Sequence, residues 1–171
     1  MKVLIINGSP RPGGNTEAMC NAFRQGAEAA GHTVDTVNAG RMDIGGCRAC
    51  EYCHTKGEGR CIQQDGMQQI YPLIAEAEFI VLASPVYYFA PAAQLQAVIQ
   101  RFYAIMRPEK TRRMAMLLSS GSPGVYNAAV CQYKDMLSYM GIGNSGIITA
   151  AGRENKSPEK LEEIKEFART I

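Results

Sequence analysis

Lys2 to Asn7 is a short apolar run, partly β-branched, that stops at Gly8, and it reads as a buried strand. Gly8 to Gly14 is turn chemistry, rich in Gly and Pro. Asn15 is placed to cap a helix whose apolar positions are Met19, Ala22, Phe23, Gly26, Ala27 and Ala30, with Gly31 as its stop. Thr33 to Val37 alternates as a strand does. Residues 38–64 show no periodicity. Asp65 then opens a helix carrying Met67, Ile70, Tyr71 and Ile74 on one face, with Pro72 expected to kink or split it.

The same alternation continues to the end. Phe79 to Ala83 is a buried strand running into Ser84-Pro85. Leu95, Val98, Ile99, Phe102 and Met106 predict one long helix. Met114 to Leu118 is a further strand, and Ala129, Tyr133, Met136, Leu137 and Met140 mark a further helix. Gly146 to Ala151 is the last strand. Ser157-Pro158-Glu159 starts the last helix, which runs through Leu161, Ile164, Phe167 and Ala168. Continuous apolar strands alternating with amphipathic helices imply an α/β fold, a parallel sheet covered on both faces. Five strands suit the doubly wound, flavodoxin-like order 2-1-3-4-5, in which the loops after strands one and three flank the ligand-binding switch point.

Composition narrows this little. The 171 residues, 46% apolar and 20% charged, fit one domain over residues 1–171 with a cysteine-rich loop at 45–64. The net charge of +2 and the scattered basic residues, clustered only at Lys110, Arg112 and Arg113, argue against a nucleic-acid partner. The N-terminal apolar run is too short for a signal peptide, and no stretch approaches the roughly 20 apolar residues of a spanning helix. The expectation is a cytoplasmic protein beginning at Met1, with no membrane partner. In that setting the cysteines crowded into Cys47–Cys61 read as metal-binding or redox-active rather than as disulfides. Cys20 and Cys131, on helical patterns, read as small buried hydrophobes.

Three loops at strand ends carry the candidate chemistry. In Gly8-Ser9-Pro10-Arg11-Pro12-Gly13-Gly14-Asn15-Thr16, a helix N-terminus offers free N–H groups and partial positive charge, which attract phosphate. Ser9, Asn15 and Thr16 add side-chain donors, and Arg11 adds a cationic fork. A plain strand-to-helix connection is the alternative, but this loop is longer than such a connection needs. It is neither a Walker loop nor a dinucleotide fingerprint. In Ser84-Pro85-Val86-Tyr87-Tyr88-Phe89-Ala90-Pro91, three successive aromatics would border a flat ring, with one of them expected to anchor the loop. Ser119-Ser120-Gly121-Ser122-Pro123-Gly124 offers small polar residues for a ligand rim. Together the loops fit a phosphorylated planar cofactor, of which FMN is the simplest.

Gly-Ser-Pro-Arg-x-x-Gly-Asn-Thr after the first strand, with Ser-Pro-Val-Tyr-Tyr after the third, resembles the NAD(P)H-dependent FMN reductase family. The run Cys47-x-x-Cys50-x-x-Cys53-x7-Cys61 resembles its iron–sulfur flavoprotein branch. The likeness is good over roughly the first two-thirds of the chain and is one of strand–helix pattern beyond that. It implies that Ser9, Arg11, Asn15 and Thr16 hold the FMN phosphate. It further implies that Pro85, Val86, Tyr87 and Tyr88 border the isoalloxazine, and that Ser119, Ser120 and Gly121 close its edge. Relatives tend to carry two acidic residues after the last cysteine, where this chain has Asp65-Gly66.

The cysteine run leaves three readings. Cys47, Cys50, Cys53 and Cys61 could wrap one [4Fe–4S] cubane, each thiolate taking one iron. They could hold zinc, although structural zinc more often uses two separated Cys-x-x-Cys pairs. They could be metal-free thiols. His54 reads as an exposed loop histidine, and His32 as a surface cation near the last carbonyls of a helix. The expected activity is an oxidoreductase that takes electrons from NAD(P)H through FMN to a small acceptor (a quinone, a flavin or an aromatic compound) or to an iron–sulfur centre. The alternatives are a flavodoxin-type electron carrier, which would gain from a strongly acidic face and is disfavoured by the +2 charge, and a cysteine or cluster redox sensor. A homodimer or homotetramer is expected from the resemblance and from the helix Leu95–Met106, with the cluster at a subunit interface facing another chain's flavin.

Overall fold

The computed structural model describes residues 1–171. Its strands are β1 (Lys2–Asn7), β2 (Thr33–Val37), β3 (Phe79–Tyr87), β4 (Ala90–Pro91), β5 (Arg113–Ser120) and β6 (Gly143–Ala151). Its helices are α1 (Asn15–Ala29), α2 (Tyr52–Thr55), α3 (Met67–Glu76), α4 (Ala93–Arg101), α5 (Asn127–Met140) and α6 (Pro158–Arg169). The sheet runs β2-β1-β3-β5-β6, all parallel, and the two-residue β4 pairs antiparallel with the end of β3. With β4 set aside, this is the flavodoxin-like order 2-1-3-4-5.

The alternation of side chains along a strand divides the core in two. Leu4 and Ile6 of β1 join Ile80, Leu82, Met114, Met116 and Leu118 under α3, α4 and α5. Val3 and Ile5 join Phe79, Val81, Ala115 and Leu117 under α1 and α6. Each face is closed by helices, as continuous apolar strands require. No helix is long and apolar enough to cross a membrane.

Several local expectations need correction. Asn15 is the first helical residue rather than the cap; Gly14 stands at the N-cap and no side chain caps the helix. Pro72 neither splits nor ends α3. It lies on the exposed side, where the carbonyl it leaves unpaired reaches water, while Met67, Ile70 and Ile74 hold the helix to the sheet. The helix expected to reach Met106 ends at Arg101, continues as a 3₁₀ turn over Phe102–Ala104, and leaves Met106 outside with φ 58°. Leu95 and Val98 are fully buried in the core, so that face is not free for a partner subunit. Cys20 is buried, but Cys131 is exposed on α5 because its position faces away from the sheet. His32 sits with Nδ1 3.2 Å from the N-terminal ammonium instead of at helix carbonyls. At the last helix Ser157 does accept the Lys160 N–H, as its cap position predicts.

The strand over Phe79–Ala83 runs on through Ser84, Pro85 and Val86 to Tyr87. β1 pairing stops at Asn7 opposite Ala83, so Pro85 meets β5 on one side and no ladder donor is missed on the other.

Candidate functional site

The strand order brings the ends of β1, β3, β5 and β6 to one edge. There Ser9, Arg11, Gly14, Asn15, Thr16, Pro85, Val86, Tyr87, Ser119, Ser120, Gly121, Gly152 and Asn155 line an open cleft of about 650 Å³. Every residue expected at the cofactor lines it except Tyr88. That residue is 96% exposed at the tip of the β3–β4 hairpin, outside the cleft. Gly14, Gly152 and Asn155 were not anticipated. Asn155 lies in a 3₁₀ turn after β6, and its buried Nδ2 donates to the carbonyls of Ser120 and Gly152 at 2.8 Å each. It therefore ties the fourth strand-end loop to the third. Its Oδ1 is buried without a partner.

The floor of the cleft is built by the β1–α1 loop. The Ser9 N–H donates to Asn7 Oδ1 at 3.0 Å, and Asn7 Nδ2 donates to Asn38 Oδ1 at 3.0 Å. The Gly8 N–H donates to the Ala83 carbonyl at 2.8 Å, which ties the loop to β3. Gly40 lies against the loop's outer side, where a Cβ would stand 2.2 Å from the Ser9 carbonyl oxygen, so only glycine fits. The Thr16 and Ser119 hydroxyls, both buried, meet at 2.8 Å and join the first loop to the third. Among the lining residues Arg11 alone is charged, it is exposed, and its side chain makes no bond within the chain. No carboxylate lines the cleft. An uncapped helix N-terminus and one free cation fit a phosphorylated ligand, although the Glu17 carboxylate in the first turn of α1 takes the Gly13 N–H at 2.7 Å.

The opposite wall is the hairpin. Tyr87 pairs with Ala90 across a two-residue turn, Tyr88-Phe89, with φ of 49° and 70°. Ser84 Oγ accepts the Ala92 N–H at 2.9 Å and fixes the hairpin base. Tyr87, Tyr88 and Phe89 are all exposed, so no aromatic anchors the loop; the half-turn of chain is held instead by Val86 and Ser84, both buried. The Tyr88 and Phe89 rings stand edge to face, centroids 5.8 Å apart.

At the far end of α4 lies a second recess. Cys47, Cys50, Cys53 and Cys61 all line it, with Arg101, Gln100 and Tyr103 among their neighbours. No three cysteines, histidines or carboxylates converge closely enough to hold a single ion. A mononuclear site needs its sulfurs packed around one atom, whereas a cubane gives each thiolate its own iron and spreads them wider. Four cysteines around one recess are a donor set of the kind that zinc and iron–sulfur centres both use. Burial raises the Cys53 thiol above its ordinary value, with smaller contributions from Cys61, Glu51 and Cys47. His54 stays exposed, its Nε2 2.8 Å from the Tyr103 carbonyl oxygen.

The base of this recess is fixed by a pair that periodicity did not reveal. Arg101 is 1% exposed, and its Nη1 and Nη2 donate to Asp65 at 2.6 and 3.2 Å. Nη1 also donates to the Gly45 carbonyl at 2.9 Å. Asp65 accepts the N–H groups of Gly45 and Met67 at 3.0 Å each, so it starts α3 as expected while also gripping the loop. Burial works to raise the Asp65 pKa, but the bonds from Arg101, Gly45 and Met67 hold it below the usual carboxylate value. One signal was available in the sequence: an arginine three residues after Val98, on the apolar face of its helix.

Residues 1–152 match the family described as NADPH-dependent FMN reductase. The chain belongs to that family. It is 36% identical over 140 residues to an iron-sulfur flavoprotein of Archaeoglobus fulgidus, an alignment covering 82% of this chain and 60% of that protein. It is 35% identical over 107 residues to an iron-sulfur flavoprotein of Methanosarcina thermophila, covering 63% of this chain and 55% of that protein. The chain thus spans little more than half the length of these relatives. Among solved structures, an NAD(P)H:quinone oxidoreductase from Methanothermobacter marburgensis shares the fold with a TM-score of 0.73. Its identity is 17%, and the match covers 99% of this chain and 93% of that one.

Proposed function

We propose that residues 1–171 form one FMN-binding unit of a cytoplasmic oxidoreductase that takes electrons from NAD(P)H and passes them to a small acceptor or to an iron–sulfur centre. The observation that carries this reading is the cleft itself: a helix N-terminus and a lone free cation at one end, an exposed aromatic hairpin at the other, and no carboxylate between. FMN, when bound, supplies the two-electron chemistry. The chain's own part is to hold and orient. Arg11, Ser9 and the first turn of α1 neutralise and fix the phosphate. Tyr87, Pro85 and Val86 border the ring, and Ser119, Ser120 and Gly121 line its edge. Membership of the reductase family supports turnover over a pure carrier role.

We further propose that Cys47, Cys50, Cys53 and Cys61 bind a [4Fe–4S] cluster in the anaerobically made protein. The shared recess supports this reading, as do relatives named iron-sulfur flavoproteins. A homodimer or homotetramer is the proposed assembly. Two measurements test the reading. Anaerobic rapid mixing of FMN-loaded protein with NADPH or NADH is expected to bleach the flavin absorbance, and a quinone is expected to restore it. A loaded protein that neither nicotinamide reduces is a carrier, and the enzyme reading falls. Iron and acid-labile sulfide are expected at cubane stoichiometry in the wild type and lower in Cys50→Ser; iron near zero in the wild type ends the cluster reading.

A further inference from the structure

Arg101 occupies an unusual place for a cation. Its guanidinium lies beneath the cysteine recess, almost completely buried, and it lines that recess together with all four thiols. Nη1 and Nη2 are engaged by Asp65 and the Gly45 carbonyl. Nε is buried and donates to nothing. A buried N–H on a charged group without an acceptor is rare, and such a group points to a missing partner. The Asp65 clamp fixes the guanidinium plane from one side, so the Nε–H cannot turn away to find another acceptor. The Tyr71 hydroxyl meanwhile donates to the Arg101 carbonyl at 3.0 Å, which locks the end of α4 at the recess.

We propose that Arg101 is a positioning residue of the cysteine centre: its Nε–H donates to a cysteine sulfur of the bound cluster, while Asp65 holds the guanidinium in place. The inference rests on the cluster reading given above. Physically, four thiolates around a cubane carry net negative charge, which grows on reduction. A buried donor on a cation stabilises the reduced form more than the oxidised form, so it raises the reduction potential. Hydrogen bonds to ligand sulfurs are one of the levers by which a protein sets that potential. Asp65 prevents the cation from being an isolated buried charge when the cluster is absent.

The test uses anaerobically purified holoprotein carrying arginine labelled with the heavy nitrogen isotope. Pulsed EPR of the reduced cluster is expected to show a weak coupling to labelled nitrogen. That coupling is expected to persist in Arg48→Lys, which alters the other arginine at the recess, and to vanish in Arg101→Lys. Arg101→Lys keeps a cation but has no Nε–H, and its midpoint potential in an EPR-monitored titration is expected below that of the wild type. FMN binding at the distant cleft reports whether the variant is folded. A fully loaded wild type without the coupling overturns the proposal, as does a loaded Arg101→Lys with the wild-type potential. If Arg101→Lys fails to fold or load, the wild-type and Arg48→Lys spectra decide alone. Absence of iron from the wild type is distinguishable from these results, and it removes the cluster reading and this inference together.

Discussion

Arg11→Ala is the sharpest perturbation of the proposed FMN cleft. Arg11 is the only charge on the cleft wall and has no partner within the chain, so its removal should alter ligand binding without disturbing a bond of the fold. A charge-assisted hydrogen bond is worth about 1.5–3 kcal/mol. Coulomb's law brackets that figure: two unit charges ~4 Å apart interact by about 1 kcal/mol in bulk water and about 4 kcal/mol near a protein surface. Because Arg11 is exposed, the lower half of the range should apply in salt. Every 1.4 kcal/mol is tenfold, so the FMN dissociation constant should rise by roughly 10- to 40-fold. Fluorescence quenching of FMN by apoprotein measures it directly. Two controls isolate the cause. The loss should shrink as ionic strength rises, and riboflavin, which lacks the phosphate, should bind both proteins equally. An unchanged FMN constant would remove Arg11 from the site. Equal losses for FMN and riboflavin would show that the loop had collapsed and that phosphate recognition was not the cause.

Other outcomes follow from the same structure. Asp65→Ala should cost about 3–5 kcal/mol at pH 7, the scale for orphaning one member of a buried ion pair. Because the folded Asp65 pKa is depressed, its stabilisation is full above the unfolded value of about 4 and is lost as pH falls through the folded value, so the gap between wild type and variant should narrow at pH 3. Urea unfolding at the two pH values checks both points, and a gap independent of pH would refute the linkage. Gly40→Ala places a methyl group against the Ser9 carbonyl and should cost about 1–3 kcal/mol in stability while weakening FMN binding, read by thermal unfolding and titration. Burial, with Glu17 nearby, pushes the Cys20 thiol up to about 12, so iodoacetamide should spare Cys20 in the native apoprotein while labelling exposed Cys47, Cys50 and Cys131, as peptide mass mapping would show.

The sheet was legible because its evidence is local and redundant. Each of the five longer strands is marked by an apolar run or by alternation, the two-residue β4 is not, and five alternating strands suit the doubly wound order that the sheet adopts. The cleft was legible for a related reason. Ligands of such sheets sit at the carboxyl ends of the strands, so the loops at 9–16, 85–87 and 119–121 had to converge. What escaped was set by contacts distant in sequence. Asn155 enters the cleft wall only because β6 lies beside β5, and nothing around it in the sequence says so. Arg101 and Asp65 lie 36 residues apart, and neither the helix start at Asp65 nor the arginine on an apolar helix face names its partner. Asn15 was assigned as a cap on propensity, but the loop geometry gives that place to Gly14 and leaves the helix end open. That exception fits a site whose N–H groups are reserved for a ligand.

The hairpin tip is the place where local rules are broken most openly. A two-residue turn with both φ values positive favours Asn-Gly, yet this chain puts Tyr88 and Phe89 there. Each left-handed position costs a bulky residue about 1–3 kcal/mol, and the edge-to-face contact between the rings returns about 0.5–1.5 kcal/mol. Replacing the pair by Asn-Gly should therefore stabilise the fold by at least ~0.5 kcal/mol, seen as a rise of at least about 1–2 °C in Tm. FMN affinity should change little, because neither ring lines the cleft. Reoxidation of the reduced protein by a planar aromatic acceptor should slow, because the exposed rings beside Tyr87 are the surface such a molecule would stack on. Stopped-flow traces with the same acceptor on both proteins separate the two effects. A more stable variant with unaltered reoxidation would mean that the strain serves something other than the acceptor, and a variant no more stable than the wild type would mean that the tip carries no strain to relieve.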